Sequence, residues 1–189
     1  MDSPLRKVLE SGDWIDSDCW DEYNATVTEC GRKVQRYNTA PLSSQDEMRA
    51  AFSDITGRRI DDSSIVIFPF RCDLGFHIRV GKDVIVNYDC TFLDTAMITI
   101  GDHCLIGPGC HLVTAVHPKD YLERRTGRFR GEPIAIGEDS WLGANVTVLP
   151  GVTVGKRCII GAGSVVTKDV PDDSVYAGNP ARPIGKKEG

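Results

Sequence analysis

The sequence predicts an all-β solenoid, a parallel β-helix made of six-residue repeats. Apolar residues recur at every sixth position, and this period fits neither an α-helix nor an alternating strand. Glycine follows the apolar residue in eight of the fourteen repeats, and the fifth place is small or branched. We therefore expect each repeat to form a short strand and a turn, with three repeats closing one coil. The apolar first places are Phe68, Leu74, Val80, Val86, Phe92, Ile100, Ile106, Leu112, Ile136, Leu142, Val148, Val154, Ile160 and Val166.

The glycines in the second place predict how the turns are made. Glycine adopts backbone conformations that a Cβ penalises, so we expect these residues to take such a conformation in each turn. The rhythm slips once, by two residues at Ile98 and Thr99, and we interpret the slip as a bulge in a corner of the coil. The eight glycines are Gly75, Gly81, Gly101, Gly107, Gly137, Gly143, Gly155 and Gly161.

The extent of the repeats predicts three regions within one structural domain. Residues 1–60 form an N-terminal helical cap region, residues 61–171 form the β-helix, and residues 172–189 form an irregular C-terminal tail. The rhythm is lost over residues 118–133, where several basic side chains stand beside two aromatic ones. We expect this stretch to be a loop that protrudes from one corner, and long loops on a regular scaffold tend to carry function.

Three helices are predicted ahead of the repeats. We expect them over residues 4–10, 18–37 and 45–55. Ser44 and Glu47 are spaced as a capping box for the third helix, and Gly57 is placed to end it. These helices are expected to cover the first, otherwise open, end of the solenoid.

The overall composition bounds the class of protein. A hydrophobic fraction of 41% and a charged fraction of 26% are typical of a soluble globular chain. The net charge of −5 argues against nucleic acid as the main partner. No apolar run approaches the roughly 20 residues that span a bilayer, and the first ten residues lack the apolar core of a signal peptide. We expect a cytoplasmic protein with no membrane or nucleic-acid partner.

Seven cysteines are present without a metal-binding spacing. We expect Cys19 and Cys30, in the helical region, to be reduced thiols. The other five fall in the fifth place of a repeat, where a small apolar side chain would face the coil interior. These five are Cys72, Cys90, Cys104, Cys110 and Cys158.

The chain has four histidines. The repeat register places His77, His103 and His111 at positions that point outward. His117 stands where the regular coil gives way to the predicted loop. From the residues alone, a lone histidine is more often structural than catalytic, so both readings of His117 stay open.

A family resemblance is carried by three long segments and three short ones. The long segments are I-G-D-H-C-L-I-G-P-G, I-G-E-D-S-W-L-G-A-N-V-T-V-L-P-G-V-T-V-G and I-G-A-G-S-V-V-T-K-D-V-P-D-D-S-V-Y-A-G-N-P-A-R, which resemble the hexapeptide acyltransferases. The short segments F-R-C-D-L-G, N-Y-D-C-T-F-L-D and T-A-V-H-P narrow the resemblance to the maltose/galactoside O-acetyltransferase group. The resemblance runs from about residue 18 to about residue 184, and it implies a left-handed β-helix.

This resemblance implies an O-acetyltransferase that moves an acetyl group directly from acetyl-CoA to a hydroxyl of a sugar-like acceptor. It makes His117 the general base and Asn87 a second catalytic residue that orients the acceptor. It also implies a homotrimer with the active site at the subunit interface, and no metal. A backbone N–H near Gly143 and Ala144 is the expected oxyanion donor.

The resemblance also assigns binding residues. Carboxylates suit a sugar site because they accept hydrogen bonds from vicinal hydroxyls. The acceptor-binding residues are expected to be Asp18, Asp73, Asn87 and Asp94. Some family members carry a second acidic residue where this chain has Thr95, which leaves the acceptor's identity open. The residues expected to bind coenzyme A are Trp141, Gly143, Ala144, Ala162, Thr167, Lys168, Arg182 and Lys186.

Three alternatives stay open at this stage. The first keeps acetyl-CoA but moves the acetyl group to an amine or to a non-sugar hydroxyl. The second is a metallohydrase of the γ-carbonic-anhydrase kind, which needs three converging histidines that this sequence does not place together. The third is a non-catalytic scaffold, which the full set of acyltransferase motifs disfavours.

Overall fold

The computed structural model describes residues 3–186, with only the backbone of Lys186, and shows a parallel β-solenoid that follows a group of helices. Three sheets form its faces. Face A contains β1 (Ile65–Val66), β4 (Ile85–Val86), β7 (Leu105–Ile106), β12 (Trp141–Leu142), β15 (Ile159–Ile160) and β17 (Ser174–Ala177). Face B contains β2 (Phe70–Cys72), β5 (Cys90–Leu93), β8 (His111–Val113), β13 (Thr147–Val148) and β16 (Val165–Val166). Face C contains β3 (Ile78–Val80), β6 (Ile98–Ile100), β11 (Ile134–Ile136) and β14 (Thr153–Val154).

Successive coils stack in register, so equivalent residues form columns along the solenoid. Leu142 pairs with Ile106 of the preceding coil and with Ile160 of the following one, and all three are buried. Such columns of apolar side chains fill the interior and exclude water from it. The predicted solenoid of six-residue repeats with N-terminal helices is therefore confirmed.

The second-place glycines are required for a reason other than the predicted one. Of the eight, only Gly75 has a positive φ, so the predicted turn conformation is wrong for the rest. The left-handed residues instead occupy the fourth place, as His103 (φ 58°) and Asn145 (φ 57°) show. A Cβ on Gly107 would lie 2.7 Å from the backbone nitrogen of Ala144 in the next coil. These second-place glycines are thus needed because neighbouring coils approach too closely there for a side chain.

The predicted register is wrong in the first coil. Val66 pairs with Val86 and Cys72 pairs with Phe92, so the true first places are Val66 and Cys72 rather than Phe68 and Leu74. The predicted slip at residues 98–99 is also misplaced, because both residues lie within β6. The extra residues lie instead between faces B and C. We call this region the wide corner; it comprises residues 73–77, 94–97 and 114–133.

The helices are α1 (Pro4–Ser11), a 3-10 helix (Ser17–Cys19), α2 (Trp20–Thr39) and α3 (Gln45–Thr56). The Ser44 hydroxyl caps α3 by accepting a hydrogen bond from the Glu47 backbone N–H at 3.2 Å, and Gly57 ends the helix with φ 64°. The Glu47 carboxylate accepts a hydrogen bond from the backbone N–H of Ser43 at 2.7 Å, one residue before the donor of the predicted capping box. None of the helices in residues 3–186 is both long and apolar enough to cross a bilayer.

Helix α2 covers the open edge of the first coil. The Tyr37 hydroxyl donates to the Val66 carbonyl, and the Asn38 side-chain amide exchanges two hydrogen bonds of 2.8 and 2.9 Å with the backbone of Phe70. The Phe70 ring stacks edge-on between those of Phe52 and Phe92, at centroid distances of 5.4 and 5.1 Å. Backbone groups that would otherwise offer a free sheet edge are thereby satisfied.

Two further segments depart from the regular coil. Within residues 118–133, α4 (Tyr121–Arg124) is followed by β10 (Arg130–Gly131), which pairs antiparallel with β9 (Ala115–Val116).

After residue 171, β17 still stacks on face A, and β18 (Arg182–Lys186) pairs antiparallel with it. The prediction of an irregular C-terminal tail is therefore wrong for residues 174–186, which cover the last edge of the sheet; residues 187–189 lie outside the described residues.

All seven cysteines are free thiols. Four of them are fully buried in the coil interior as predicted: Cys90, Cys104, Cys110 and Cys158. Cys72 is only partly buried; the observed register puts it in a first place of the first coil rather than in the predicted fifth place, and its sulfur lies 3.7 Å from that of Cys30.

The four interior thiols should resist a water-soluble thiol reagent until the solenoid unfolds. Burial excludes the reagent from all four, and it also raises the pKa of Cys104 to about 11, which suppresses the reactive thiolate of that residue. Peptide mapping by mass spectrometry after brief labelling of the native protein measures this. Rapid modification of Cys104 or Cys158 in the folded protein would contradict the observed register.

Candidate active site

Asp94 is the buried centre of the wide corner. Its Oδ1 accepts hydrogen bonds from the backbone N–H groups of Asp73 (3.0 Å) and Leu74 (2.9 Å), while Oδ2 has no hydrogen-bond partner among residues 3–186. Burial raises the pKa of Asp94 to about 6. The Nδ1 of His77 lies 3.0 Å from the Asp94 carbonyl, so His77 is half-buried rather than pointing outward as predicted. Asp94 thus organises the backbone of the preceding coil.

Asp73 connects this corner to the N-terminal helices. Its Oδ2 accepts a hydrogen bond of 3.4 Å from the Tyr23 hydroxyl. Burial, and after it the nearby charge of Asp94, raise the pKa of the Asp73 carboxyl. The Tyr23 ring packs edge-on against Phe129 at 4.8 Å. Asp18 is exposed in the 3-10 helix that leads into α2, one turn before Tyr23.

His117 lies at the loop junction, as the sequence predicted. Its Nδ1 is 3.0 Å from the carbonyl oxygen of Arg128. Because a carbonyl can only accept, this hydrogen bond requires the proton on Nδ1, and in that tautomer Nε2 is the nitrogen left to accept a proton. The ring centroid lies 6.0 Å from that of Phe129. His117, Phe129, Tyr23 and Asp73 therefore form one continuous row within a single chain.

A second group of predicted residues lies at a different corner, between faces A and B. Asn87 and Gly143 occupy the same second-place column, and each donates its backbone N–H to a carbonyl of the next coil. The Asn87 Oδ1 accepts from the Tyr88 N–H at 2.9 Å, and Asn87 does not have a positive φ. Trp141 lies on face A with half of its surface exposed.

The backbone N–H groups at this second corner differ in availability. The N–H of Gly143 is used by the Ile160 carbonyl at 2.8 Å. The N–H of Ala144 has no acceptor within the described residues. Of the two candidates for the oxyanion donor, only Ala144 therefore has a free donor.

The remaining predicted residues lie nearer the C-terminal end. Ala162 follows β15 at the second corner and is exposed, and Thr167 and Lys168 follow β16. Arg182 begins β18 and is exposed, with its guanidinium donating to the Ala181 carbonyl at 2.9 Å. The side chain of Lys186 lies outside the described residues.

The structure brings the predicted residues together in two groups rather than one. His117, Asp73 and Asp94 share the wide corner, whereas Asn87 and the residues around Trp141 line the corner between faces A and B. Sequence reasoning missed Tyr23 and Phe129, which link Asp73 to His117. Phe129 was visible as an aromatic residue in the loop, but no sequence signal connects Tyr23 to a residue 50 positions later.

Within residues 3–186, no group of three or more histidine, cysteine, aspartate or glutamate side chains converges in a way that could hold a metal ion.

Known proteins resemble this chain over its repeats and over its whole length. A family model described as bacterial transferase hexapeptide (six repeats) matches residues 133–168, and one described as hexapeptide repeat of succinyl-transferase matches residues 97–114. Nodulation protein L of Rhizobium meliloti is 38% identical over 164 residues, which cover 87% of this chain and 89% of that protein. The chain spans between 58% and 89% of the length of the first curated relatives that it matches.

Solved structures match more completely. A maltose O-acetyltransferase from Clostridium difficile 630 superposes with a TM-score of 0.91 at 34% identity, covering 99% of this chain and 98% of that one. A hexapeptide-repeat acetyltransferase from Vibrio cholerae O1 biovar eltor, solved with acetyl coenzyme A, has a TM-score of 0.85 at 31% identity and covers 99% and 100%. These matches confirm the predicted fold class, a solenoid of hexapeptide repeats preceded by helices.

The fold and the repeats define a class, the hexapeptide-repeat acyltransferases. The chain belongs to this family, in the group of the maltose and galactoside O-acetyltransferases. The chain is therefore an acetyl-CoA-dependent O-acetyltransferase, with acetyl-CoA as its co-substrate.

The variant Asp94→Asn should change how stability depends on pH. The folded-state pKa of Asp94, about 6, lies above the ordinary aspartate value, so the folded protein binds more protons than the unfolded chain between about pH 4 and 6. The free energy of unfolding of the wild-type protein should therefore fall as the pH rises through this window. The contribution of Asp94 to this fall is at most about 3 kcal/mol. Asparagine cannot ionise but keeps the Oδ1 acceptor, so the variant should lose this fall.

Urea unfolding of both proteins at pH 4, 5, 6 and 7 measures the effect. The stability of the variant relative to wild type should rise from pH 4 to about pH 6 and then level off towards pH 7. A constant difference across this range would show that Asp94 does not titrate there in the folded protein.

Proposed function

We propose that this chain transfers an acetyl group from acetyl-CoA to a hydroxyl of a sugar-like acceptor in one direct step, with His117 as the general base. The observation that carries the proposal is the state of His117, whose Nδ1 is held by the Arg128 carbonyl so that Nε2 is free. An unprotonated imidazole nitrogen exposed at a loop junction suits the removal of a hydroxyl proton.

The proposed step needs no covalent enzyme intermediate. Nε2 of His117 removes the proton from the acceptor hydroxyl, and the hydroxyl oxygen attacks the carbonyl carbon of the thioester at the same time. The tetrahedral intermediate then collapses, the carbon–sulfur bond breaks, and the imidazolium returns the proton to the coenzyme A sulfur. The free N–H of Ala144 is proposed to stabilise the negative oxygen of the intermediate.

The acceptor is proposed to bind at the carboxylates of the wide corner. Asp18 is exposed, and Asp73 is part-buried with Tyr23 as its partner, so both can accept hydrogen bonds from hydroxyls of the acceptor. Asp94 is fully buried in the single chain, and we assign it the role of holding the backbone of Asp73. Asn87 is proposed to orient the acceptor from the other corner.

The pantetheine arm of acetyl-CoA is proposed to lie along the corner between faces A and B. Lys168, which leaves face B at the opposite corner together with Thr167, and Arg182 in β18 are exposed cations suited to the coenzyme's phosphates. Lys186 is a third candidate. The exposed Trp141 ring, next to the glycine and alanine backbone at Gly143, Ala144 and Ala162, offers a surface for the pantetheine arm, and Thr167 adds a hydroxyl.

These two corners are proposed to meet across the interface of a homotrimer. One chain carries His117 and Asn87 on different corners of a triangular solenoid, so a site that uses both requires a second copy. Face A also presents exposed apolar side chains in one column, with Ile85, Leu105 and Trp141 exposed by 41%, 47% and 51%. Such a surface favours association with another chain.

The alternative acceptor is an amine or a non-sugar hydroxyl, because the general base and the donor site would serve either. An acetyl-CoA consumption assay over sugars, glycosides and amines separates the two proposals. Turnover confined to amines would overturn the sugar-like assignment but not the acetyl transfer. A cytoplasmic location also stays a prediction.

The variant His117→Ala should lower kcat by about 10²–10⁴-fold on the best acceptor. The KM for acetyl-CoA should change little, because the base acts on the acceptor hydroxyl in the transition state. Steady-state kinetics with each substrate varied in turn measure both constants.

The matched control is His111→Ala, which replaces an exposed histidine on face B of the same coil. Its kcat should stay close to that of wild type. Near-normal turnover by His117→Ala would end the proposal that His117 is the base.

A shared site should be rescued by mixing two inactive variants. If His117 of one subunit works with Asn87 of another, trimers assembled from His117→Ala and Asn87→Ala chains contain some wild-type sites. Random equimolar assembly should restore about a quarter of the wild-type activity, since each site draws independently on two chains. Co-refolding of the two variants, followed by light scattering and activity measurement, tests this.

The control refolds each variant by itself, and neither should regain activity. A mass near that of one chain, or hybrid trimers without activity, would contradict a site shared between subunits.

A further inference from the structure

A segment ahead of α2 contacts the loop and has no part in the proposed chemistry. Ile15 and Phe129 form an antiparallel bridge with two reciprocal hydrogen bonds. The Ile15 N–H donates to the Phe129 carbonyl at 2.7 Å, and the Phe129 N–H donates to the Ile15 carbonyl at 3.2 Å. The N-terminal segment is thus bonded to the residue next to Arg128, whose carbonyl holds His117.

Trp14 strengthens the same contact through side chains. The guanidinium groups of Arg128 and Arg130 lie 5.5 and 5.2 Å from its ring centroid, within the range of a cation–π interaction. Arg128 and Arg130 are two positions apart, with Phe129 between them, so their side chains extend from the same side of the strand. Trp14 therefore contacts the residues on both sides of the bridge.

The returning strand of the loop is held from both sides. Arg130 pairs with Val116, which directly precedes His117, and Gly131 pairs with Ala115. This pairing is only two residues long, so by itself it gives little support. The other side is supplied by Trp14 and Ile15.

This support comes from a packing unit separate from the solenoid core. Ile15 is buried with Leu5 and Cys19 in a small apolar cluster, against which Tyr23 and Phe129 pack. The loop strand is thereby anchored to α1 and the 3-10 helix rather than to the interior of the coils.

We propose that Trp14 and Ile15 are positioning residues for His117, an inference that rests on the proposed role of His117 as the base. They fix residues 128–130, which keeps the Arg128 carbonyl within hydrogen-bond distance of Nδ1. That hydrogen bond selects the tautomer with a free Nε2 and fixes the direction in which Nε2 points. Without it, the ring rotates and the proton is shared between both nitrogens.

The test uses the full-length variants Trp14→Ala and Trp14→Phe. Trp14→Ala should lower kcat by about 10–100-fold, since a misplaced base loses the geometry of attack. Its KM for acetyl-CoA should stay within about twofold of wild type, because the donor site lies at the other corner. Trp14→Phe keeps an aromatic face for the arginines and should recover most of the lost kcat.

The matched control is Tyr121→Ala. Tyr121 is also an aromatic residue under an arginine, with the Arg125 guanidinium 5.1 Å from its ring, but it lies in α4 away from the bridge. Its loss should leave kcat unchanged. A second variant, Arg128→Ala, removes part of the stack without touching the apolar cluster and should lower kcat in the same direction as Trp14→Ala. It keeps the proposal testable if Trp14→Ala fails to fold.

A direct readout is the tautomer of His117, observed by NMR with ¹⁵N-labelled histidine and assigned by the signal missing from His117→Ala. Wild type should show a single Nδ1-protonated tautomer, and Trp14→Ala should show a mixture of both. Unchanged turnover together with an unchanged tautomer in Trp14→Ala and Arg128→Ala would overturn the inference. Full turnover by His117→Ala would instead overturn the proposed function, and the tautomer measurement would still decide the positioning role.

Discussion

The close approach of one coil to the next is the constraint on which the whole structure depends. Each coil donates backbone N–H groups to carbonyls of its neighbour, and this ladder continues from the first coil to the C-terminal strands. At the second places occupied by glycine the coils come so close that a Cβ would clash with the next backbone, as at Gly101, where it would lie 2.7 Å from the Glu138 nitrogen. The six-residue period follows, because apolar columns and glycine columns must both stay aligned from coil to coil.

Several of the proposed site residues lie at the wide corner, where extra residues interrupt the six-residue repeat. The wide corner contains residues beyond the six-residue rhythm, and their backbone N–H groups cannot all be served by the ladder. The Asp94 carboxylate takes over two of them, which brings a charge-bearing group into a buried position. One coil later the same corner opens into the loop that carries His117 and Phe129. The irregular corner thus concentrates the polar side chains that a uniform solenoid would keep at its surface.

In our proposal a single chain does not form a complete active site, because its two corners are separated. A triangular solenoid presents its corners in different directions, so the base and the donor surface of one chain cannot face each other. Association through an exposed apolar face would solve this geometric problem. The N-terminal unit has a comparable role within one chain. It packs on the loop through Ile15 and Trp14, and so relates a terminal segment to the residue that the proposed reaction requires.

The sequence alone determined the solenoid, the α3 cap at Ser44 and the place of His117, because each depends on residues close together in the chain. It misassigned the second-place glycines, since their requirement comes from the neighbouring coil rather than from their own turn. It also misplaced the first coil by two residues, because Phe68 and Leu74 satisfy the same apolar rule as Val66 and Cys72. Only the tertiary structure decided the contacts of Tyr23 with Asp73 and of Ile15 with Phe129. These residues are distant in sequence and no local pattern relates them; the packing of helices against a coil corner brings them together.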